Sequence, residues 1–199
     1  QYPEVMEHGW PDLSRVGIVH LLDKDTSGVL ILAKNPQVLA DLQQQFRERT
    51  VQKEYQAVVF GVPKDKEGRI ETFVGRHPKR RQEQAVLPIR VGEHARRKAI
   101  TDYVVEKSWK IRGQTVSLII FRPKTGRMHQ LRVHAKYLGT PILGDPVYNT
   151  KPSKRLSKQL GLIHQFLHAQ SLTFRHPKLH KRMTFASTLP TAFSQTLME

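Results

Sequence analysis

A chain of 199 residues with 33 Lys+Arg against 17 Asp+Glu carries a formal charge of +16, far more than the solubility of a single-core protein requires. That excess points to a polyanionic partner. Nucleic acid comes before an anionic membrane, because no apolar run approaches the ~18–20 residues that span a bilayer. Zero cysteines exclude disulfides, thiolate nucleophiles and cysteine-based zinc sites, and 38% hydrophobic with 25% charged residues fits one globular domain. The opening QYPEVMEHGWPDL has neither the basic nor the apolar region of a secretory signal, so a cytoplasmic location is expected.

Residues 1–14 read as an irregular lead-in and residues 15–199 as one domain. Apolar runs at 17–22 and 29–33 predict two buried strands. Between them lies a polar elbow, Asp23-Lys24-Asp25-Thr26-Ser27-Gly28. A carboxylate where a buried strand runs out is costly unless it is paired or used. An ordinary Asp-rich hairpin turn explains the elbow equally well, and the segment alone does not choose. Asn35 and Pro36 then supply a cap and a first position for a helix, with Val38, Leu39, Leu42 and Phe46 at helical spacing to about Arg49. TVQKEYQAVVFG follows as a strand with Gln52, Glu54 and Gln56 on one face and Tyr55 on the other.

Short strand-like pieces at 70–74 and 85–91 sit among basic clusters. His77, Lys79, Arg80 and Arg81 form one cluster, and Arg96, Arg97 and Lys98 form the other. A solvated loop is the plain reading of such runs, but on a chain already this basic, phosphate contact is the better one. Strands at 100–105 and 115–121 lead to PKTGRMHQLRVHA, whose helix is expected to run to about Leu138 and end at Gly139. Leu131, Ala135 and Leu138 make its core stripe. Arg132 lies beside that stripe and calls for a carboxylate or phosphate partner. A basic surface helix at 151–161 and strands at 166–174 and 183–186 complete an α+β fold. Its sheet is mixed but largely antiparallel, with helices and loops flanking a central cleft. His129 with His134, and His164 with His168, have metal-like spacing. Without cysteines or a His-Glu-x-x-His pattern no metal site is expected.

Three ordered stretches carry a resemblance: His20-Leu21-Leu22-Asp23 with Thr26-Ser27-Gly28, Lys53-Glu54-Tyr55, and Thr125 through Arg132. Together they closely resemble the RluA-type pseudouridine synthases, which modify ribosomal and transfer RNA. Arg76-His77-Pro78, Leu143-Gly144-Asp145-Pro146-Val147-Tyr148, and His168-Ala169 with Phe174-Arg175-His176-Pro177 are similar to further family segments, so the likeness spans residues 15–190. It implies the pseudouridine synthase catalytic fold, with Asp23 as catalytic aspartate, Tyr55 as active-site tyrosine and Arg132 as the arginine paired with the aspartate. It also implies no cofactor and an RNA substrate, ribosomal before transfer RNA, with a monomer as the default. Motif and charge together give His20, Leu21, Arg76, His77, Lys79, Arg80, Arg81, Arg96, Arg97, Lys98, Arg127 and His129 as RNA-facing residues.

Breaking the N1–C1′ bond of uridine and joining C1′ to C5 requires no redox agent, but it does require a carboxylate near the sugar. That carboxylate acts either as nucleophile at C1′ or as base at C2′. The target base must leave its stack to reach it. Two departures stand out. Leu21 occupies the position after His20 where the family has arginine, which removes a phosphate contact and leaves an apolar wedge. Residues 1–14 match neither the family's Lys-Pro-x-Gly stretch nor an S4 RNA-binding domain, so an incomplete version of the family protein is expected. Leu21 keeps a second reading open, a noncatalytic RNA-binding or ribosome-assembly protein on a decayed synthase fold. A dinucleotide enzyme is remote, since no Gly-x-Gly-x-x-Gly turn is present.

Overall fold

The computed structural model describes residues 5, 9–10, 12–80, 82–89, 91–92, 94, 96–191 and 193. Helix α1 (Pro36–Glu48) starts where expected: the Asn35 side chain accepts the Val38 N–H at 2.9 Å and Pro36 takes the first turn. Arg49 closes it in the left-handed region, φ 60°. Its apolar face buries Leu39 and Leu42 with Trp10, Val19, Ala33, Leu172 and Phe174. The lead-in therefore contributes to the core through Trp10, whose indole N–H donates to the Val5 carbonyl at 2.6 Å.

Eight strands form one sheet among the described residues: β1 (Ser27–Gly28), β2 (Gln52–Phe60), β3 (Glu67–Arg76), β4 (Gln84–Val86), β5 (Arg96–Ile111), β6 (Gln114–Pro123), β7 (Leu167–Arg175) and β8 (Arg182–Ala186). The order is β1-β7-β2-β6-β5-β3-β4, with β8 also on β7. Every pair is antiparallel except β1 with β7. Helices α2 (Gln130–Tyr137) and α3 (Lys151–Gln159) send Leu131, Ala135 and Leu156 into the main core beside Val58, Ile119, Phe121 and Leu167. α3 is the expected basic surface helix, with a Thr150–Ser153 capping box and Leu156 as its anchor.

Two expectations change. Residues 17–22 and 29–33 are not buried strands; they share one bridge, Ile18 with Leu32. Alternate residues point outward, with Leu21 71% and Leu32 60% exposed. The backbone also enters the first run through positive φ at Gly17 (69°), a conformation outside the strand region. The elbow pairs instead with β7, far along the chain. The piece at 85–91 shortens to β4, because Leu87 makes the last cross-strand bond, to the Phe73 carbonyl at 2.8 Å, and Pro88 has no N–H to offer.

Gly28 is required twice over. Its φ is left-handed, and a Cβ there would meet the Ala169 carbonyl oxygen at 2.2 Å. Gly28→Ala is expected to lower the unfolding free energy by about 3 kcal/mol, read by urea denaturation. An unchanged midpoint would mean that the elbow does not dock on β7 this closely.

Candidate active site

The elbow is held from below by residues far along the chain. Gln165 donates to the Lys24 carbonyl at 2.6 Å and to the Thr26 hydroxyl at 3.2 Å, and the Ser27 hydroxyl meets His168 Nδ1 at 2.8 Å. The Thr26 N–H closes the turn on the Asp23 carbonyl at 3.0 Å. Gly28 and Tyr55 are both register partners of Ala169, one from each side of β7. A bulge in the β2–β7 ladder falls between Glu54 and Tyr55, a local twist of the kind that re-aims a side chain. One residue of β7 thus sets the spacing between the elbow that carries Asp23 and the strand that carries Tyr55.

Helix α2 adjoins the elbow and is fixed to the sheet by a buried polar chain. Gln130 accepts from the Thr125 hydroxyl at 2.7 Å and the Arg127 N–H at 3.0 Å, and donates to the Ile100 carbonyl at 3.0 Å and the Thr101 hydroxyl at 2.9 Å. His134 spans Thr101 at 2.9 Å and Thr72 at 3.0 Å. Burial pushes its imidazole down to about 4, so it is neutral near pH 7 and serves both threonines without a buried charge. This satisfied network holds the helix that presents Arg132.

Arg132 is 5% exposed. Its expected partner, Asp23, lies 3.6 Å from Nη1, an ion pair beyond hydrogen-bond length. The short bonds go to Asp145, which the sequence reading did not place in the site: Nε to Oδ2 at 2.8 Å and Nη2 to Oδ1 at 3.0 Å. Asp145 Oδ1 also accepts the Val147 and Tyr148 N–H groups at 2.8 and 2.9 Å. Burial alone would lower the Arg132 pKa, but the Asp145 bonds and charge, with Asp23 behind them, outweigh it and raise it. The guanidinium also lies 5.0 Å over the Tyr148 ring, and the Tyr148 hydroxyl meets His129 Nδ1 at 2.7 Å. His129 takes a left-handed backbone, φ 55°, just ahead of α2.

Asp23, Tyr55, His20, Leu21, Arg127 and His129 all line one cleft of about 960 Å³, with Lys53, Leu131 and Leu167. The Asp23 side chain is 24% exposed, so a ligand can reach it. Burial, with the Asp23 charge second, pushes the Tyr55 phenol up to about 12. His20 stacks on Phe46 at 4.7 Å, and burial followed by the Lys53 charge takes it down to about 4. The remaining basic residues sit elsewhere, at one end of the β3–β5 pair, where Gly75 faces Arg96, Val74 faces Arg97 and Phe73 faces Lys98. Arg76, Lys79 and Arg80 are exposed there, and Arg80 is paired with Glu83 at 3.1 Å. His77 accepts the Lys79 and Arg80 N–H groups, Arg96 stacks on Phe73 at 3.9 Å, and Lys98 pairs with Glu71. This end joins the cleft rim through Arg127, whose Nε donates to the Lys98 carbonyl at 3.0 Å. Arg81 lies outside the described residues. For Asp145 the sequence did hold a signal, the Gly-Asp-Pro-Val-Tyr run, though not its partner.

The sequence model of the RNA pseudouridylate synthase family matches residues 11–137. Relatives include an uncharacterized RNA pseudouridine synthase of Synechocystis sp., 37% identical over 94% of this chain and 56% of its own length. The chloroplastic RNA pseudouridine synthase 2 of Oryza sativa subsp. japonica is also 37% identical, over 94% of this chain and 45% of its own. The chain thus spans about half the length of the curated relatives it matches. Among solved structures, human RNA pseudouridylate synthase domain containing 4 superposes with a TM-score of 0.76 at 28% identity, covering 91% of this chain and 74% of that one. Human RNA pseudouridylate synthase domain containing 1 gives 0.75 at 25%, covering 90% and 78%.

Removing charge from Asp145 leaves a buried guanidinium without its main counter-ion. Asp145→Asn is expected to cost about 3 kcal/mol of stability in urea titration. An unchanged midpoint would mean that Arg132 does not depend on that carboxylate.

Proposed function

The chain belongs to the RNA pseudouridylate synthase family, and on that footing we propose that it isomerises uridine to pseudouridine in structured RNA, with Asp23 as the catalytic carboxylate. The observation that carries this reading is a reachable carboxylate in a 960 Å³ cleft, 3.6 Å from a buried guanidinium and lined beside it by Tyr55. Arg132 sets an opposite charge 3.6 Å from Asp23 and leaves its outer face free for the sugar. Two roles fit the carboxylate. As nucleophile it bonds C1′ while uracil leaves through N1, and is displaced when C5 bonds C1′; as base it takes the C2′ proton while uracil leaves through N1, and returns it to C2′ when C5 bonds C1′. Both pathways end with C1′ bonded to C5, the C5 proton lost and N1 protonated, so the product is an isomer of the substrate.

Tyr55 acts on the base. With its phenol pushed up to about 12 it is a hydrogen-bond donor and a ring to stack on uracil near pH 7. That favours stacking and donation over removal of the C5 proton by the free tyrosinate. His20, held neutral and stacked on Phe46, frames the entrance. Leu21, 71% exposed at the same mouth, is the side chain placed to fill the gap left by a flipped base. The basic end of β3 and β5 extends the positive surface beyond the cleft, as an RNA backbone requires. Large-subunit ribosomal RNA is the substrate class we favour, with transfer RNA as the alternative. The exposed Leu21 in place of a cation is the one feature that favours a noncatalytic RNA-binding protein instead.

The deciding experiment maps pseudouridines in RNA from cells lacking this protein and from the same cells given back wild type or Asp23→Asn. We expect a defined site to disappear and to return with wild type alone. A site restored by Asp23→Asn would remove Asp23 from the chemistry, and an unchanged map would transfer the reading to RNA binding without catalysis.

A further inference from the structure

Beside the cleft lies a second lobe of about 520 Å³ that shares Val19, Phe46, Lys53 and Arg127 with it. Five cations line this lobe, Arg47, Arg49, Lys53, Lys124 and Arg127, and among the described residues no carboxylate does. Two of the five are held by protein side chains: Arg47 by Gln44 at 2.6 Å, and Lys124 by Asp102 at 3.3 Å. Arg127 is oriented by its Nε bond to the Lys98 carbonyl, which leaves the rest of its fork for a ligand. Arg49 and Lys53 make no ion pair among the described residues.

The cations of the lobe bear on one another. Arg127 is pushed below its ordinary value by burial and then by the charges of Arg49 and Arg97. Burial takes the Lys53 ammonium down to about 8, with no counter-charge to offset it. Gly126 does not have the left-handed backbone that would require glycine, and a Cβ there would make an ordinary contact with Lys53 Nζ at 3.8 Å. Three elements converge on the lobe: the end of α1, the start of β2 and the loop from β6 to α2.

We propose that this side lobe is a phosphate subsite in which Arg49, Lys53 and Arg127 hold the RNA backbone phosphate adjoining the nucleotide whose base enters the cleft. The inference rests on the RNA-modifying reading above and adds to it the place where the strand leaves the active site. The lobe opens directly into the Asp23 cleft through shared walls, so a strand with one uridine beside Asp23 runs its backbone past these three cations. Grip on that phosphate ties the strand next to the flipped nucleotide, a contact that the Leu21 position cannot make.

The test measures binding of a fluorescein-labelled RNA hairpin with a uridine-rich loop by anisotropy across a sodium chloride series. It is done in an Asp23→Asn background so that turnover does not intervene. Arg49→Asn keeps a residue suited to the left-handed backbone, and Lys53→Met keeps the apolar stem. Each is expected to weaken binding about tenfold. The double variant should flatten the log–log salt slope by about 0.7, the contribution of one phosphate on a single strand. Arg49→Lys with Lys53→Arg should stay within about threefold of the parent. Unchanged affinity and slope in variants that melt like the parent would overturn the subsite, as would weaker binding with an unchanged slope. Absence of salt-dependent binding by the parent itself is a separate failure, which strikes the RNA reading and takes the subsite with it.

Discussion

The forked bond between Arg132 and Asp145 is the constraint on which the site depends. Taking either ion out of water costs about several kcal/mol, and only close pairing with further hydrogen bonds offsets it. Asp145 meets that condition: its two oxygens take both bonds from the guanidinium and two backbone N–H groups. The loop that carries it is equally constrained. Gly144 has φ 74°, and a Cβ there would stand 2.0 Å from the His164 carbonyl oxygen. With Nε and Nη2 committed inward, Nη1 is left facing Asp23. The outer carboxylate, reachable from the cleft, is thus ordered by a buried pair that the substrate never needs to touch.

The sheet does for Tyr55 and the elbow what Asp145 does for Arg132. Ala169 is the shared partner of Gly28 and Tyr55, so the two sides of β7 measure the distance between an aspartate turn and an aromatic strand. The buried Thr72–His134–Thr101–Gln130–Thr125 chain then locks α2 to the sheet beside them. Rigid elements bearing few, well-supported side chains suit the proposed isomerisation, whose demands are positional: one carboxylate at the sugar and one ring against the base. The exposed basic side chains at the end of β3 and β5 lie beyond the cleft, where the proposed RNA backbone would be gathered.

Helix α1 was legible because its cap, first proline and apolar spacing all agree locally. β2, β6 and β7 were legible because their apolar content and turn residues agree as well. The elbow was not, because nothing within residues 17–33 records that its partner strand lies near residue 169; local pattern suggested a hairpin where tertiary pairing made a short parallel bridge. Pro88 ended β4 earlier than the apolar run 85–91 suggested. Asp23, Tyr55 and Arg132 were picked out by motif, and the structure brings all three to one cleft wall or just behind it. Which carboxylate Arg132 would bond was beyond the sequence, since Asp23 and Asp145 are both aspartates beside turns and only packing decides which is fully buried. Arg49, read as the end of a helix, and Lys53, read as part of the Lys53-Glu54-Tyr55 stretch, become neighbours of Arg127 only after α1 and β2 fold against the loop before α2.

The central claim is that one guanidinium serves two carboxylates, and Arg132→Lys tests it most directly. Lysine keeps the charge but is a single point donor that cannot form the fork to Asp145 and also face Asp23. The account predicts that pseudouridine formation falls by at least about 100-fold while RNA binding stays within about threefold of wild type. Turnover close to wild type in Arg132→Lys would show that charge alone is enough, and would contradict the shared-arginine account of the site.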